Sequence, residues 1–141
     1  MRKILFRGRT LEEDECIKKG AWIEGGLFIQ EENDVKEFAA YILTPSLSSV
    51  ANAHLVDPET VGRFTNLTDE NNVKIFEDDI VECFSEGVNA RGTVQQRKDG
   101  LWIIYPNWQR HIMWGLCPDE YSKTTVRVIG NIHDNPELLE E

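Results

Sequence analysis

The stretch VDPETVGRFTNLTDENNVKIFEDDIV, residues 56–81, holds the densest local structure signals in this chain. Short apolar groups stand on both sides of the polar segment 68–72, a pattern that predicts two strands joined by a hairpin turn. Asn72 is expected at positive φ in that turn, because its short amide side chain tolerates the left-handed region. Pro58 fixes its own φ and favours an extended Asp57, which predicts a bend before the first strand.

The composition is typical of a soluble globular protein. The chain has 141 residues, of which 40% are hydrophobic and 28% are charged, and this length can form one domain with its own core. No apolar run approaches the ~18 residues of a membrane span, and the short apolar run that ends at Arg7 does not resemble a signal peptide. The three cysteines have unrelated spacings, which favours reduced thiols in a cytoplasm over a disulfide framework.

The pattern of short strands predicts an all-β fold with little helix. Turn signals recur roughly every 8–12 residues, as in β-barrels and sandwiches. A strand beginning at Ile80, a hairpin turn at Lys98-Asp99-Gly100 and a β-branched run before Gly130 follow the order of a small SH3-like barrel. We therefore expect a single domain with three parts: an N-terminal β subdomain over residues 1–72, an SH3-like barrel over 73–133 and an acidic tail over 134–141.

The net charge of −10 opposes general binding to nucleic acid or to an anionic membrane, because such binding requires a basic face. The charge is unevenly distributed, however. Residues 88–127 carry six basic residues against three acidic ones: Arg91, Arg97, Lys98, Arg110, Lys123 and Arg127 against Asp99, Asp119 and Glu120. Since salt screens each charge beyond about 8 Å, a local basic surface in this range stays open as an alternative.

The sequence contains no motif that supports catalysis or a bound cofactor. P-loop, Rossmann and nucleophile-elbow fingerprints are absent. Asp78 and Asp79 could act as an acid and a base, but a turn is the favoured interpretation of this pair. We expect no enzyme activity, no cofactor and no metal. The possible metal ligands lack the spacing of a metal site: they are His54, Cys83, His111, Cys117 and His133.

The candidate interaction surface is an aromatic and basic stretch. Its members are Trp102, Tyr105, Trp108, Arg110 and Trp114. Aromatic rings interleaved with arginine can form a protein-binding hot spot or stack on bases, although most of these rings could instead fill the core of a small barrel. Self-association and binding of a protein partner form the leading hypothesis. Nucleic-acid binding through residues 91–127 is the second, and an acidic mimic of nucleic acid is the third.

Three blocks of the sequence resemble the YopX family, small proteins encoded by bacteriophages and prophages. The blocks are residues 1–8, 56–81 and 128–139, which together reach both ends of the chain. The family pattern shares Gly62 and Asp79 with this chain. It has glycine at three positions where this chain has other residues, namely Asn66, Asn72 and Asp78. Asn and Asp are the usual non-glycine residues of left-handed positions, so we expect these turns to persist with little strain.

The resemblance implies a fold for the entire chain, but it implies no established activity and no catalytic residues. It also implies a phage or prophage protein in the cytoplasm of a bacterial host. Together with the aromatic stretch, this leads us to expect a homo-oligomer that acts through a host or phage protein. We expect no membrane partner, and the net charge disfavours nucleic acid.

Overall fold

The computed structural model describes residues 2–15, 17–31, 38–45, 52–85, 88–106 and 114–139. Within these ranges the chain forms β-strands and two short 3-10 helices, with no α-helix. This composition confirms the all-β prediction. The chain divides into two compact units, Met1–Arg63 and Phe64–Glu141.

The first unit is an antiparallel sheet with the strand order β4-β3-β2-β1. The first residues of β5, Gly62 and Arg63, pair with β1. A bridge between Thr10 and Val56 links the chain after β1 to the end of β4. The elements are β1 (Phe6–Arg9), β2 (Trp22–Glu31), β3 (Phe38–Thr44), β4 (Asn52–Val56), the 3-10 helix η1 (Pro58–Thr60) and the start of β5 (Gly62–Thr68).

Strand β2 changes partner half-way along its length. Residues 22–25 pair with β1, whereas residues 26–31 pair with β3. Gly25 lies at the change, and a Cβ atom there would overlap the carbonyl oxygen of Leu43. Only glycine permits the backbones of β2 and β3 to approach each other so closely at this position.

The core of the first unit is small, and it lies on one face of the sheet. It is formed by the buried side chains of Ile23, Ala40, Ile42 and Val56. The predicted bend at Pro58 is η1, for which Asp57 is the N-cap and accepts a hydrogen bond from the backbone N–H of Glu59. An Asp N-cap followed by proline in the first turn is a favourable helix start.

The second unit contains the β5–β6 hairpin and a five-stranded antiparallel sheet with the order β10-β9-β8-β7-β11. Its buried core consists of Ile75, Val81, Val94, Ile104, Leu116 and Val126. The remaining elements are β6 (Lys74–Phe76), β7 (Asp79–Ser85), β8 (Val88–Gln96), β9 (Trp102–Pro106), β10 (Trp114–Gly115), β11 (Arg127–Asn131) and the 3-10 helix η2 (Pro136–Leu139).

Along the chain, the first unit ends at Arg63 and the second begins at Phe64. The sequence placed the end of the first subdomain at residue 72. The β5–β6 hairpin belongs to the second unit because its contacts lie there. The N–H of Thr68 donates to the carbonyl of Ser122 at 3.0 Å, and Leu67 packs against the second unit's core. Half of the expected acidic tail, Pro136–Leu139, forms the 3-10 helix η2.

Candidate interaction surfaces

Two described residues of the aromatic stretch, Trp102 and Tyr105, lie in different surroundings. Trp102 packs against the core of the second unit, and the backbone of Trp114 pairs with Ile104. Trp108 and Arg110 lie outside the described residues. Tyr105 is half-buried and lines an open cleft of about 480 Å³. Tyr105 is thus the member of the predicted surface that the structure places on a cleft.

The cleft beside Tyr105 contains part of the basic segment that the sequence indicated. Arg97 and Lys98 line it together with Gln95 and Ile103. The Arg97 guanidinium lies 3.5 Å from the carboxylate of Asp99, and both side chains are about half exposed. An exposed ion pair of this kind contributes little to stability, so Arg97 can leave Asp99 to contact a ligand. The exposed Lys98 lies beside it on the same cleft.

The three positions that carry Asn or Asp in place of the family's glycine have positive φ, as the sequence predicted. The φ angles are 65° at Asn66, 65° at Asn72 and 69° at Asp78. Asn66 lies where the β5–β6 register shifts, Asn72 lies in the hairpin turn, and Asp78 precedes β7. Since left-handed geometry is the reason for glycine at such positions, these residues shape the backbone.

The paired carboxylates at the start of β7 have separate structural contacts. Asp79 is buried, and its Oδ2 accepts a hydrogen bond from the backbone N–H of Phe76 at 2.8 Å. The Oδ2 of Asp78 lies 3.6 Å from Nε2 of His133. These contacts agree with the turn interpretation, because a carboxylate that accepts a backbone N–H fixes the local chain.

The C-terminal sequence block forms a compact turn that rests against the same part of β7. Asn131 pairs with Asp79 in the sheet, and its side-chain oxygen accepts hydrogen bonds from the N–H groups of His133 and Asp134. Gly130 is required because a Cβ atom there would approach Asn135 Oδ1 to 2.5 Å. The 56–81 and 128–139 blocks therefore meet in space and build one turn network.

The described residues include His, Cys, Asp and Glu side chains, the residue types that can hold a metal ion. In these segments no group of three or more His, Cys, Asp or Glu side chains is placed to hold a metal ion. Burial, and to a lesser extent the Glu82 carboxylate, raises the pKa of the Cys83 thiol. A reactive cysteine needs a lowered pKa, so the surroundings of Cys83 disfavour its reactive thiolate form.

A surface that the sequence did not indicate lies on the first unit. We call it the hairpin arm and define it as residues 26–31 of β2 with residues 38–43 of β3. Phe28 is 52% exposed, Ile29 48% and Phe38 51%. Phe28 and Tyr41 are cross-strand partners, whose ring centroids are 6.2 Å apart. Ile29 pairs with Ala40 and so lies on the opposite face of the arm. Both faces of the arm's end are therefore apolar and exposed.

The hairpin arm also presents an open strand edge. β1 pairs with β2 as far as Gly25, and across the described residues the segment 26–31 pairs with β3 alone. The side chains from Phe28 to Glu31 are all exposed. An apolar edge of this kind is a template for a further strand. The edge arises because β2 has ten residues and β1 has four, a difference that the sequence did not indicate.

The first strand carries a second feature beside this edge. The guanidinium carbons of Arg7 and Arg9 lie 4.9 and 6.0 Å from the ring centroid of Trp22. Arg9 also donates from Nε to the carbonyl of Gly20 at 3.4 Å. Cation–π contacts of this length are attractive, so both arginines help to pack the indole on the sheet.

The family model described as YopX protein matches residues 9–140. The chain belongs to the YopX family. No curated protein matches it. The crystal structure of protein EF1440 from Enterococcus faecalis is similar over 97% of each chain, with a TM-score of 0.50 and 19% sequence identity. At that identity the likeness shows a shared fold and nothing about function.

Membership of the YopX family is consistent with the roles of the signature residues. Gly62 is buried and pairs with Arg7, and Asp79 is buried at the start of β7. These residues shape the backbone, whereas the exposed Phe28, Ile29 and Phe38 lie on the hairpin arm. In the part of the chain that the structure describes, no helix has the length and apolar character needed to cross a bilayer.

Proposed function

We propose that this YopX-family protein is a non-enzymatic interaction module that self-associates and acts through a protein partner. The observation that carries the proposal is the hairpin arm, where Phe28, Ile29 and Phe38 are each about half exposed beside an open strand edge. Exposed apolar groups and unpaired backbone donors both favour association, because a partner strand removes the first from water and pairs the second.

The biological setting of the proposal follows from the family. We propose a phage or prophage origin and action in the bacterial cytoplasm, with a host or phage protein as the eventual partner. The net charge of −10 keeps such a protein soluble and leaves contacts with other proteins to its apolar surface.

We also propose that the five-stranded sheet of the second unit closes as the SH3-like barrel that the sequence suggests. β11 returns to pair with β7, so the last strand of the unit lies beside the first strand of the sheet. The two remaining edges are β10 and β11. Closure would bring these edges together and remove them as sites for further strands.

The proposed function is tested by measuring mass with light scattering coupled to chromatography over a range of protein concentrations. We expect a multiple of 16.2 kDa that dissociates when Phe28, Ile29 and Phe38 are replaced by serine. The matched control is Tyr121→Ser, since Tyr121 is 81% exposed but lies in the second unit. A monomer at every concentration, or equal masses for the parent and the triple variant, contradicts the proposal.

The aromatic stretch remains a second proposed contact for a protein partner, and Trp108→Ala with Arg110→Ala tests it. We expect this double variant to weaken association while its thermal unfolding stays unchanged. Unchanged association, or a collapsed thermal transition, removes this stretch from consideration.

Nucleic-acid binding is the alternative function, and the cleft of Arg97, Lys98 and Tyr105 favours it locally. A labelled single-stranded oligonucleotide should then bind at low salt and lose affinity steeply as salt rises. Arg97→Ala with Lys98→Ala should weaken binding, whereas Lys19→Ala, an exposed lysine of the first unit, should not. No binding at low salt ends this alternative.

A further inference from the structure

We infer that two copies of this chain pair through the hairpin arm, with the β2 strands antiparallel about a two-fold axis at Phe28. The inference rests on the proposed self-association and names the surface and the register that produce it. The occupant of the open edge is thus a second copy of the same edge.

The position of the open edge defines which residues can pair. β1 and β3 lie on opposite sides of β2, and β1 covers its side only as far as Gly25. The same side is uncovered from Gly26 onward among the described residues. A second strand can therefore continue the sheet along residues 26–30, in line with the β1 of the copy that it joins.

Symmetry restricts the register further. Two identical strands that pair antiparallel in one sheet are related by an axis perpendicular to that sheet, so each face of one copy continues the same face of the other. Since alternate residues of a strand occupy opposite faces, each residue must pair with a residue of the other copy that lies on the same face. The two-fold axis therefore passes between the two copies of one residue, which pair with each other. The residues that can take this central position are Leu27, Phe28 and Ile29.

Chemistry selects among these centres. A centre at Leu27 leaves only residues 26–28 to pair, because Gly25 is already paired with β1. A centre at Ile29 places Phe28 opposite Gln30 and Leu27 opposite Glu31. A centre at Phe28 places the two Phe28 rings opposite each other and Leu27 opposite Ile29. The register centred on Phe28 brings three apolar residues opposite apolar residues, whereas each of the other two registers brings only its central residue opposite an apolar one. Apolar cross-strand pairs are the favourable arrangement.

The charges at the ends of the paired strands agree with this register. With Phe28 at the centre, Glu31 of one copy reaches the start of the partner's β1, because Gly25 of the partner pairs there with Phe6. The residues before Phe6 include the exposed Arg2 and Lys3. The Glu31 side chain of each copy then lies at the start of the partner's β1, which two basic residues precede in the sequence, and no two Glu31 side chains face each other. Complementary charges at the rim favour this orientation over a shifted one.

Disulfide trapping tests the register. In a background of Cys16→Ser, Cys83→Ala and Cys117→Ser, Phe28→Cys places two thiols on directly opposed residues. The Cα atoms of opposed residues are about 4.5–5.5 Å apart, within the range of a disulfide. Ile29→Cys is the control, because Ile29 faces Leu27 and its own copies lie beyond the ~7 Å limit. We expect covalent dimer from Phe28→Cys under oxidation and none from Ile29→Cys.

The outcomes separate this inference from the proposed function. If light scattering shows a dimer but the disulfide forms through Ile29→Cys, or through neither cysteine, the proposed register is wrong and self-association still holds. A monomer at all concentrations overturns both. The two-fold pairing is also wrong if the unmodified protein associates only with a different protein and not with a second copy of itself.

A second pair of variants keeps the inference testable if the cysteine background folds poorly. Phe28→Asp places two carboxylates opposite each other and should weaken dimerisation at least about tenfold. Phe38→Asp changes an equally exposed phenylalanine that lies on β3, away from the open edge, and should leave the dimer intact. Circular dichroism checks that both variants are folded. Equal effects of the two substitutions contradict the inference.

Discussion

Two turns of the second unit have the same local design and different surroundings. The segments Asp69–Val73 and Asp119–Lys123 both begin with Asp-Glu. In each, the aspartate Oδ1 accepts hydrogen bonds from the N–H groups two and four residues later, at 2.8 and 2.9 Å in the first turn and 2.8 and 3.0 Å in the second. The fourth residue has positive φ in both, 65° at Asn72 and 63° at Ser122.

The surroundings of the two aspartates differ. Asp69 is 1% exposed, and its Oδ2 accepts a further hydrogen bond from the N–H of Val128 at 3.0 Å. Asp119 is exposed. The turns lie side by side, because Thr68 and Lys123 form a parallel bridge. A short polar segment can therefore define a turn by itself, while the position of the turn in the fold decides how much the stability of the protein depends on its hydrogen bonds.

The largest expected effect is that of Asp69→Ala. The substitution removes the acceptor for the N–H groups of Asn71, Val73 and Val128, and the site is buried. Leaving buried donors without acceptors costs about 1–3 kcal/mol each, so the free energy of unfolding should fall by about 3 kcal/mol or more. Urea unfolding followed by tryptophan fluorescence measures the loss. A loss below about 1 kcal/mol would contradict the importance of burial.

Asp69→Asn separates the local turn from the tertiary contact. Its side-chain oxygen can still serve Asn71 and Val73, but an NH₂ group then faces the N–H of Val128. We expect a loss of about 1–3 kcal/mol, smaller than that of Asp69→Ala. Hydrogen exchange should become faster at the Val128 amide while the Asn71 and Val73 amides stay protected. Faster exchange at all three amides would show that the two contacts cannot be separated.

Asp119→Ala should have a smaller effect than either change at Asp69. It removes the same two local hydrogen bonds, but water can replace the lost acceptor. The expected loss in the free energy of unfolding is about 1 kcal/mol, the usual net value of such bonds. The measurement is again urea unfolding, with the slope m compared to confirm the same cooperative transition. A loss as large as that of Asp69→Ala would break the comparison.

The smallest effects should come from Asn72→Gly and Ser122→Gly. Glycine relieves the cost of the left-handed backbone, but it also increases the entropy of the unfolded chain. The net change should stay below about 1 kcal/mol and be similar in the two turns, because the backbone geometry is local. Parallel urea titrations of the two variants test this. Clearly unequal changes would show that tertiary contacts also act on the fourth turn residue.

Much of the fold could be predicted from the sequence because its signals are local. Asn72 between two apolar runs predicted the hairpin turn, and Lys98-Asp99-Gly100 predicted a second one, in which Gly100 has a φ of 92°. The boundary between the units could not be placed in this way. The β5–β6 hairpin joins the second unit through bonds from Thr68 to residues far along the chain, and strand patterns do not reveal such partners.

The candidate site was less predictable than the fold. Trp102 resembles a binding residue by its type, yet it packs against a core. Phe28 resembles an ordinary strand residue, yet it is 52% exposed, and the pairing of β1 with β2 ends at Gly25 before reaching it. The open edge of β2 exists because the neighbouring strand β1 is shorter, and the sequence of one strand does not contain the length of its neighbour.

The sequence by itself determined the all-β class, the family and the left-handed positions at Asn66, Asn72 and Asp78, because backbone preferences act over a few residues. The tertiary structure alone decided that Asp69 is buried while Asp119 is exposed. It also decided that one edge of β2 stays open. Burial and edge exposure arise from which segments pack together, and packing joins residues that are far apart in the chain.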